Sequence, residues 1–396
     1  MAIVEIALIA AAVYLTIYAS YLLLLLAAHL IPSKGLSGSD IGRTRFAIVI
    51  PAHNEELFLG RLLSSIAVQA YPKTHYDAVV VADNCTDSTA SVARQYRAVV
   101  FERHDSTATG KGYALKYGIE NIAPGEYDAL VVVDADCMLD PDVLRVFDLY
   151  LRTGCRILQS TSAPANPGQS WFTRLVDVSH SVSNEIILKG KKRLGLSIPL
   201  MGTGMCFAFD ILKQYGWSAF SIGEDWEFYI RLLSDGQRVV FANEAKVFHQ
   251  ESSNLKQATS QRMRWSSGRF AIARKYGLKL LLKSIREMDF HKADGLLLLL
   301  LPNPSLGINL TLIVLLCTVI LVAAGLSKVF LIWLVALFLF QAVFFLLGIF
   351  YSKEKAKTIQ AVLFAPVFLT WKMVIDLLSI LGMGRKKWVR TKRTLP

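Results

Sequence analysis

Apolar positions divide the chain into two strongly hydrophobic ends and a central part in which apolar and polar residues alternate in short blocks. Residues 2–31 contain Glu5 and His29 as their only acidic or basic side chains, and this stretch exceeds the roughly 20 residues that a spanning helix needs. A cleaved signal peptide is the other interpretation, but no basic segment precedes the stretch and it is too long. We therefore predict a transmembrane helix over residues 1–31 and a linker over residues 32–44.

The carboxyl-terminal part contains three further stretches that differ in their polar content. Residues 277–294 place apolar and charged side chains on opposite helical faces. This predicts an interfacial amphipathic helix, although an ordinary surface helix explains the pattern nearly as well. Residues 295–350 hold two apolar runs and predict a transmembrane hairpin. Residues 351–384 either span or lie in the interface. The interface is favoured, because one more span would place the basic tail over residues 385–396 outside.

The central part, residues 45–276, alternates short β-branched runs with segments of helical periodicity. This alternation predicts an α/β fold with a mostly parallel, Rossmann-like sheet and crossover helices. Ligands bind beyond the carboxyl ends of the strands in such sheets. Three polar residues follow predicted strands at that edge: Asn54, Asp83 and Asp134.

The net charge of +12 suggests nucleic acid as one class of partner. The basic residues instead flank the apolar stretches, as in residues 353–357 and in the tail. This distribution favours a membrane over nucleic acid, through anionic lipid heads and the positive-inside rule. It predicts an integral protein of the cell membrane with a cytoplasmic central domain. The five cysteines have no paired spacing, which fits a reducing compartment.

Two carboxylates, Asp134 and Asp136, follow a predicted apolar strand with one residue between them. On an ideal strand they share a face, so that both can reach one ligand. Carboxylate and phosphate oxygens are the ligands that Mg²⁺ and Mn²⁺ prefer. By itself, however, this short pattern arises more often from a solvated turn.

Three other positions have both a functional interpretation and a purely structural one. Asp83 suits hydrogen bonding to a nucleobase, or caps a helix. Lys111 lies between two glycines at a predicted helix start, where it can meet a phosphate or belong to a flexible turn. Asp225, next to Glu224, can act as a general base, although acidic residues at a helix start are favoured whatever the function.

The segment Gln261-Arg262-Met263-Arg264-Trp265 is the most specific motif of the chain. Arg264 can clamp a diphosphate through its planar guanidinium, and the indole of Trp265 offers a stacking wall for a sugar. The alternative is a helix whose arginines reach the membrane surface.

In this order, the motifs resemble those of membrane-bound family-2 glycosyltransferases. That group contains cellulose, chitin, hyaluronan and poly-N-acetylglucosamine synthases and ceramide glucosyltransferases. The resemblance covers about residues 47–265 and the membrane flanks. It implies a GT-A fold, a UDP-sugar donor, a Mg²⁺ or Mn²⁺ ion, and inversion at the transferred sugar.

The resemblance also implies a role for each motif. Asp225 would be the catalytic base, and Asp136 would bind the metal. The expected nucleotide-binding residues are Asn54, Glu55, Asp83, Lys111, Asp134, Gln261, Arg264 and Trp265. The expected acceptor pocket consists of Gly202, Thr203, Gly204 and Glu224. One departure is Gly223, which replaces a threonine often found before the Glu-Asp pair.

The expected reaction is sugar transfer from a UDP-sugar to a growing polysaccharide. A single transfer to a membrane lipid is the alternative, since the last motif occurs in enzymes of both kinds. With so few membrane helices, a polymer channel would require several chains to associate as a homo-oligomer. A non-catalytic sugar-binding or scaffold subunit is less consistent with the complete carboxylate set. A transporter is disfavoured because the apolar stretches hold few charges.

Overall fold

A mixed eight-stranded sheet forms the centre of the protein in the computed structural model, which describes residues 2–32, 42–123, 125–323 and 327–383. Most of the predicted linker and the predicted basic tail lie outside these residues. The strands are β1 Phe46–Ala52, β2 Tyr76–Asp83, β3 Val99–Arg103, β4 Ala129–Val132, β5 Cys137–Leu139, β6 Ile157–Pro164, β7 Met205–Ala208 and β8 Val240–His249.

The sheet has the order β3-β2-β1-β4-β7-β6-β8-β5. The first four strands of this order are parallel, β7 is antiparallel to both of its neighbours, and β6 and β8 are parallel. Along β1, Ala47 and Val49 pack into one core and Ile48 and Ile50 into another. The sheet is therefore covered on both faces, which explains the almost continuous apolar runs of its parallel strands.

Helices cover the sheet and continue into the apolar ends of the chain. The first ten helices, the last of which contains residues 261–265, are α1 Ala2–His29, α2 Glu56–Ala67, α3 Thr89–Gln95, α4 Lys111–Glu120, α5 Val143–Arg152, α6 Trp171–Ser181, α7 Lys189–Arg193, α8 Phe209–Tyr215, α9 Glu224–Ser234 and α10 Leu255–Glu287. A π-helical segment, Val182–Leu188, joins α6 to α7. The remaining helices are α11 Phe290–Leu300, α12 Pro304–Ala323, α13 Lys328–Leu346, α14 Lys355–Ala361 and α15 Ala365–Ile380.

Four helical segments among the described residues are long and apolar enough to cross a membrane: Val4–His29, Pro304–Ala323, Lys328–Tyr351 and Lys355–Ile380. The first three pack together. A side-chain carbon added at Gly307 of α12 would lie 2.4 Å from the ring of Tyr18 on α1. The amide of Gln341 on α13 donates to the hydroxyl of Thr311 on α12 at 2.8 Å. Close backbone approach and interhelical hydrogen bonds are the usual basis of helix packing in lipid.

A buried polar cluster attaches α1 to the central domain. Lys191 of α7 forms an ion pair with Asp294 of α11, and both side chains are almost inaccessible to solvent. The hydroxyl of Tyr21 on α1 donates to Asp294 at 2.6 Å. Because removing one partner would leave a buried charge uncompensated, the cluster fixes the position of α1 relative to the domain.

Two predicted boundaries differ from the structure. α10 continues from Leu255 to Glu287 without a break across the predicted division between residues 276 and 277. The sequence around that point contains no proline, and Gly277 is tolerated inside the helix. The helix ends at Met288, which has a left-handed φ of 51°, and Asp289 then caps α11. α11 crosses the second predicted boundary, between residues 294 and 295.

Within the predicted segment after residue 350, α15 lies along α10. The hydroxyl of Ser266 donates to Asp376 at 2.7 Å, and the guanidinium of Arg274 donates to the carbonyl of Ile380 at 3.3 Å. Nearer the start of α15, the indole N–H of Trp371 donates to Thr259 at 3.0 Å. The two helices therefore remain side by side over several turns.

Candidate active site

The two acidic residues after β4 lie in a turn. The backbone N–H of Cys137 donates to the carbonyl of Asp134 at 3.0 Å and closes this turn before β5. The expectation that Asp134 and Asp136 share a face of an ideal strand is therefore wrong. The backbone N–H of Asp134 donates to the side-chain hydroxyl of Thr203 at 3.1 Å and not to a neighbouring strand. The pairing of β4 with β7 accordingly ends at Val132.

Lys111, the first residue of α4, lies at the centre of an acidic cluster. Its Nζ is 2.5 Å from Asp134 Oδ1 and 3.8 Å from Glu224 Oε1, and it donates to the carbonyl of Gly202 at 2.6 Å. Burial opposes the charge of the ammonium, but Asp134 and Glu224 outweigh burial and raise the pKa of Lys111. The ammonium therefore stays charged and neutralises part of the cluster.

The adjacent carboxylates at the start of α9 are both partly buried. Burial raises the pKa of Glu224 to about 7, against the lowering effect of Lys111. Burial likewise raises the pKa of Asp225, whose Oδ1 accepts from the backbone N–H of Trp226 at 2.8 Å. A carboxylate with a raised pKa is a stronger base than an ordinary one, which suits general-base chemistry near neutral pH.

The loop before β7 lies beside these carboxylates. Gly202 and Gly204 both have positive φ, 80° and 64°. A side-chain carbon at Gly202 would lie 3.4 Å from Asp225 Oδ2, and one at Gly204 would overlap the hydroxyl of Ser160. The structure thus brings the predicted acceptor residues, Gly202 to Gly204, to the predicted base. Glycine is required here by both conformation and space.

Asp83, at the end of β2, forms a buried ion pair that the sequence did not reveal. Its Oδ1 lies 2.7 Å from a guanidinium nitrogen of Arg103 on β3 and accepts from the side-chain amide of Asn84 at 3.0 Å. Burial raises the pKa of Asp83, and Arg103 opposes that shift. The guanidinium carbon of Arg103 lies 5.9 Å from the centre of the Tyr113 ring. An arginine beside an aromatic ring and a carboxylate can hold a planar, polar base.

Asn54 and Glu55 contribute to loop structure at the same edge of the sheet. Asn54 has a φ of 56°, and its side-chain oxygen accepts from the backbone N–H of Thr86 at 2.8 Å. The backbone N–H of Glu55 donates to the hydroxyl of Thr89 at 2.8 Å. These bonds join the loop after β1 to the loop after β2, close to Asp83. Direct nucleotide contacts from either residue remain predictions.

The specific motif lies in the first half of α10, which Asn254 caps. Burial lowers the pKa of Arg264, and the charges of Glu224, Asp134 and Asp225 oppose that shift. These carboxylates act on Arg264 because its side chain shares their pocket. Trp265 is partly exposed. Gln261, which shares a helical face with Arg264, is buried.

A further cluster, not predicted from the sequence, lies beside the Asp-x-Asp turn. His180, His249 and Glu251 present ligand atoms that all lie within 4.8 Å of one another. His249 pairs across the sheet with Cys137, the residue after Asp136. Burial lowers the pKa of His180 to about 3, so its imidazole is neutral at physiological pH.

A weak sequence signal could have found part of this cluster. His249 ends β8 and Glu251 follows it, which is the strand-end pattern that drew attention to Asp83. His180, about 70 residues earlier on α6, carries no comparable signal. Arg262 joins the cluster to the motif, since its guanidinium lies 2.7 Å from Glu251 and 4.7 Å from the Trp265 ring centre.

Comparison with known proteins agrees with this architecture. Residues 43–268 match the family model described as glycosyltransferase like family 2. The probable glycosyltransferase YdaM of Bacillus subtilis is 25% identical over 245 residues, which cover 59% of this chain and 57% of YdaM. The beta-monoglucosyldiacylglycerol synthase of Nostoc sp. is 25% identical over 230 residues, covering 56% of this chain and 48% of that protein. The chain thus matches less than two thirds of the length of these relatives.

Among solved structures, the mannosyltransferase PcManGT from Pyrobaculum calidifontis, in complex with GDP-Man and Mn²⁺, shares the fold. The TM-score is 0.58 at 18% sequence identity, over 93% of this chain and 99% of that one. The predicted fold class, a GT-A domain flanked by apolar helices, is confirmed.

Proposed function

We propose that this chain, which belongs to glycosyltransferase family 2, transfers a sugar from a nucleotide diphosphate sugar to a hydroxyl group of a membrane lipid. The observation that carries the proposal is the pocket in which Asp225, Glu224, Asp134 and Lys111 meet the loop at Gly202. Binding alone would not require three partly buried carboxylates around one ammonium, because each carboxylate costs desolvation energy.

Asp225 is the proposed general base. It accepts the proton of the acceptor hydroxyl as that oxygen attacks the anomeric carbon and the nucleotide diphosphate leaves. One base and a single displacement invert the configuration at that carbon, and the pocket supports this with a carboxylate of raised pKa beside the glycine loop. Glu224, whose pKa is raised to about 7, then shares the proton or holds an acceptor hydroxyl.

The proposed donor is a UDP-sugar. Asp83 and Arg103 would hold the base, since their buried pair presents both an acceptor and donors at the sheet edge. Lys111 and Arg264 would face the diphosphate, because both cations lie in the carboxylate pocket. Arg264 can offer two parallel donors to phosphate oxygens. The similarity to a structure with GDP-Man supports a nucleotide sugar in general.

A Mg²⁺ or Mn²⁺ ion is the proposed cofactor, and the residues present fit it. Asp136 offers a carboxylate in an open turn, and His249 lies one strand away with a buried Nε2 that is 3.5 Å from Glu251 Oε2. A ligand set of one carboxylate and one imidazole suits Mn²⁺ and can also bind Mg²⁺. When bound, such an ion would offset the charge of the leaving diphosphate.

The helix packing favours a lipid over a growing polysaccharide as the acceptor. An exported polymer needs a polar path between helices, whereas Asn309, Thr311 and Gln341 of α12 and α13 are used in contacts within the protein. Asn309 donates to the carbonyl of Leu369 at 2.9 Å, and Gln341 donates to Thr311. Similarity to a beta-monoglucosyldiacylglycerol synthase supports the same acceptor class. Polysaccharide extension remains the second candidate, with association of chains providing the path.

The proposed orientation places the central domain in the cytoplasm at the membrane surface. α1 spans, α12 and α13 cross out and back, and α15 lies in the interface along α10, as the contacts of Asp376 and Arg274 support. The crossings of α12 and α13 return the basic residues of the segment 353–357 to the cytoplasmic side, as expected from the positive-inside rule.

The test is product formation by the purified full-length protein in lipid nanodiscs. Radiolabelled UDP-glucose, UDP-galactose, UDP-N-acetylglucosamine and GDP-mannose are each supplied with Mg²⁺ or Mn²⁺. The proposal expects label from one UDP-sugar to enter the organic phase as a lipid of discrete size. Label in a water-soluble polymer would overturn the lipid acceptor, and exclusive use of GDP-mannose would overturn the donor.

A further inference from the structure

A cavity of about 420 Å³ lies between α9 and the second half of α10. None of the residues assigned above to the active site lines it. Its floor is apolar, with Phe228 and Leu280 both fully buried, and Ser234 and Tyr276 add hydroxyl groups at its wall. The cavity therefore offers both apolar and polar contacts to a ligand.

The rim of the cavity carries three cations and one acidic residue. Arg231, Lys279 and Lys283 line it, together with Asp235. Arg231 is 3.0 Å from Glu227, and Lys283 is 3.5 Å from Asp235. Lys279 is exposed and forms no ion pair with any residue that the structure describes. The lining thus has an excess of positive charge, which would attract an anion.

The same part of α10 also carries a stripe of exposed apolar side chains, next to Lys279 and Lys283. Leu278, Leu282 and Ile285 are 68%, 60% and 62% exposed, and they recur at helical spacing. Because successive helix residues are 100° apart, this stripe lies about a third of a turn from Lys279 and Lys283. Such large exposed apolar side chains are unfavourable in water, and they are typical of helices that lie in a membrane interface with cations at headgroup level.

We propose that this cavity binds the phosphate of an anionic phospholipid headgroup. The apolar stripe enters the acyl boundary, which brings the rim of the cavity to the depth of the lipid phosphates. Lys279 then supplies the uncompensated charge and Arg231 a planar donor, while the hydroxyl of Tyr276 donates to Glu227 at 2.7 Å and holds the wall of the cavity in place. The occupant matches the site in charge and polarity, with its phosphate at the rim beside Lys279 and its acyl chains in the bilayer beside the apolar stripe.

The site goes beyond the proposed transfer reaction, because the bound lipid is a ligand and not the acceptor. It lies on α9, the helix that begins with Glu224 and Asp225, and on α10 after the motif that contains Arg264. It therefore fixes both helices against the membrane surface without using any residue of the donor pocket.

The test is calorimetric titration of the purified full-length protein in a neutral detergent. Dihexanoyl phosphatidylglycerol, dihexanoyl phosphatidylcholine and inorganic phosphate are titrated separately as monomers in solution. Lys279→Glu is the test variant, and Lys279→Arg is the conservative one. Lys246→Glu is the matched control, since Lys246 is an exposed lysine on β8 with no ion pair among the described residues.

Saturable binding of phosphatidylglycerol is expected in the wild type, in Lys279→Arg and in Lys246→Glu, with binding at least about tenfold weaker in Lys279→Glu. UDP binding should be the same in all four proteins, which separates this site from the donor pocket. Equal phosphatidylglycerol affinity in Lys279→Glu and the wild type would overturn the proposal. So would phosphatidylcholine or inorganic phosphate that binds as tightly as phosphatidylglycerol.

Discussion

Gly223 and Gly268 pack backbone against backbone. A side-chain carbon at Gly268 of α10 would lie 3.1 Å from the backbone nitrogen of Gly223, and one at Gly223 would lie 3.3 Å from the carbonyl carbon of Gly268. Gly223 immediately precedes the Glu-Asp pair, and Gly268 lies one turn after Arg264 on the same helix. The contact therefore sets the distance between the proposed diphosphate clamp and the proposed base. It also explains why glycine, and not the more usual threonine, precedes the acidic pair here.

Gly268→Ala should reduce turnover more than it reduces stability. The added methyl group has backbone as its neighbour, so α10 must shift by a few tenths of an ångström, at a cost of about 1–3 kcal/mol of unfolding free energy. A shift of this kind misaligns Arg264 relative to Asp225, and kcat should fall about tenfold or more. Steady-state kinetics and thermal unfolding of the detergent-solubilised protein provide the measurement.

Gly277→Ala is the control for that variant, because the same helix has open space around Gly277. Alanine there should leave kcat unchanged and raise stability by up to about 1 kcal/mol through helix propensity. Equal kinetics in the two variants would show that the glycine contact does not position the site.

The acid limb of the pH–rate profile should lie well above the ordinary carboxylate range of about 4. The base works in its deprotonated form, and burial raises the pKa of both Asp225 and Glu224, so activity is lost at a higher pH than for an exposed carboxylate. Glu224→Gln removes a neighbouring negative charge, lowers the pKa of Asp225 and should move the limb of kcat/KM to lower pH. An unmoved limb in Glu224→Gln would assign the titration to another group.

Arg264→Lys should lose most activity although the positive charge is kept. A diphosphate clamp needs two parallel donors, which an ammonium group cannot supply. Arg274→Lys is the matched control on the same helix, since Arg274 donates to the carbonyls of Ser379 and Ile380 and lysine can do the same. Membrane insertion should be normal in both. Near wild-type transfer by Arg264→Lys would leave this arginine as an anchor at the membrane surface.

Removal of the metal site should weaken nucleotide binding. Asp136→Ala should abolish the dependence of UDP binding on Mn²⁺, because the proposed ion joins this carboxylate to the diphosphate. His249→Ala should raise the Mn²⁺ concentration required by about tenfold or more. Binding of UDP is measured by calorimetry with Mn²⁺ and with EDTA. Wild-type affinity that is the same in both conditions would refute a metal role at Asp136.

The strands that carry β-branched runs were predictable from the sequence. β1, β2 and β4 lie where the apolar runs predicted them, and Asp83 and Asp134 lie at their carboxyl ends. β6 was not predicted, because Gln159, Ser160 and Thr161 interrupt its apolar pattern. These polar side chains are buried in the structure, and Gln159 donates to the carbonyl of Thr203 at 2.8 Å. Tertiary hydrogen bonds, which no local pattern shows, stabilise this strand.

The site residues that end strands or begin helices were predictable from the sequence. Those whose partners come from distant segments of the chain were not. Lys111 was expected at a phosphate, and its contact with Asp134 depends on the packing of α4 against β1 and β2. Arg103 and His180 were missed, because each acquires its partner from another element of the sheet or a crossing helix. The roles of the site residues remain predictions that mutation must test.

The most direct test of the account is the behaviour of Asp225→Asn in the transfer assay and in UDP binding. Asparagine keeps the size of the side chain and removes the base, so transfer should fall by at least ~10²-fold, while Mn²⁺-dependent UDP affinity stays within about twofold of wild type. Asp210→Asn, an exposed carboxylate on α8, should change neither quantity. Transfer by Asp225→Asn at a rate close to that of the wild type would contradict the account, because the base would then lie elsewhere.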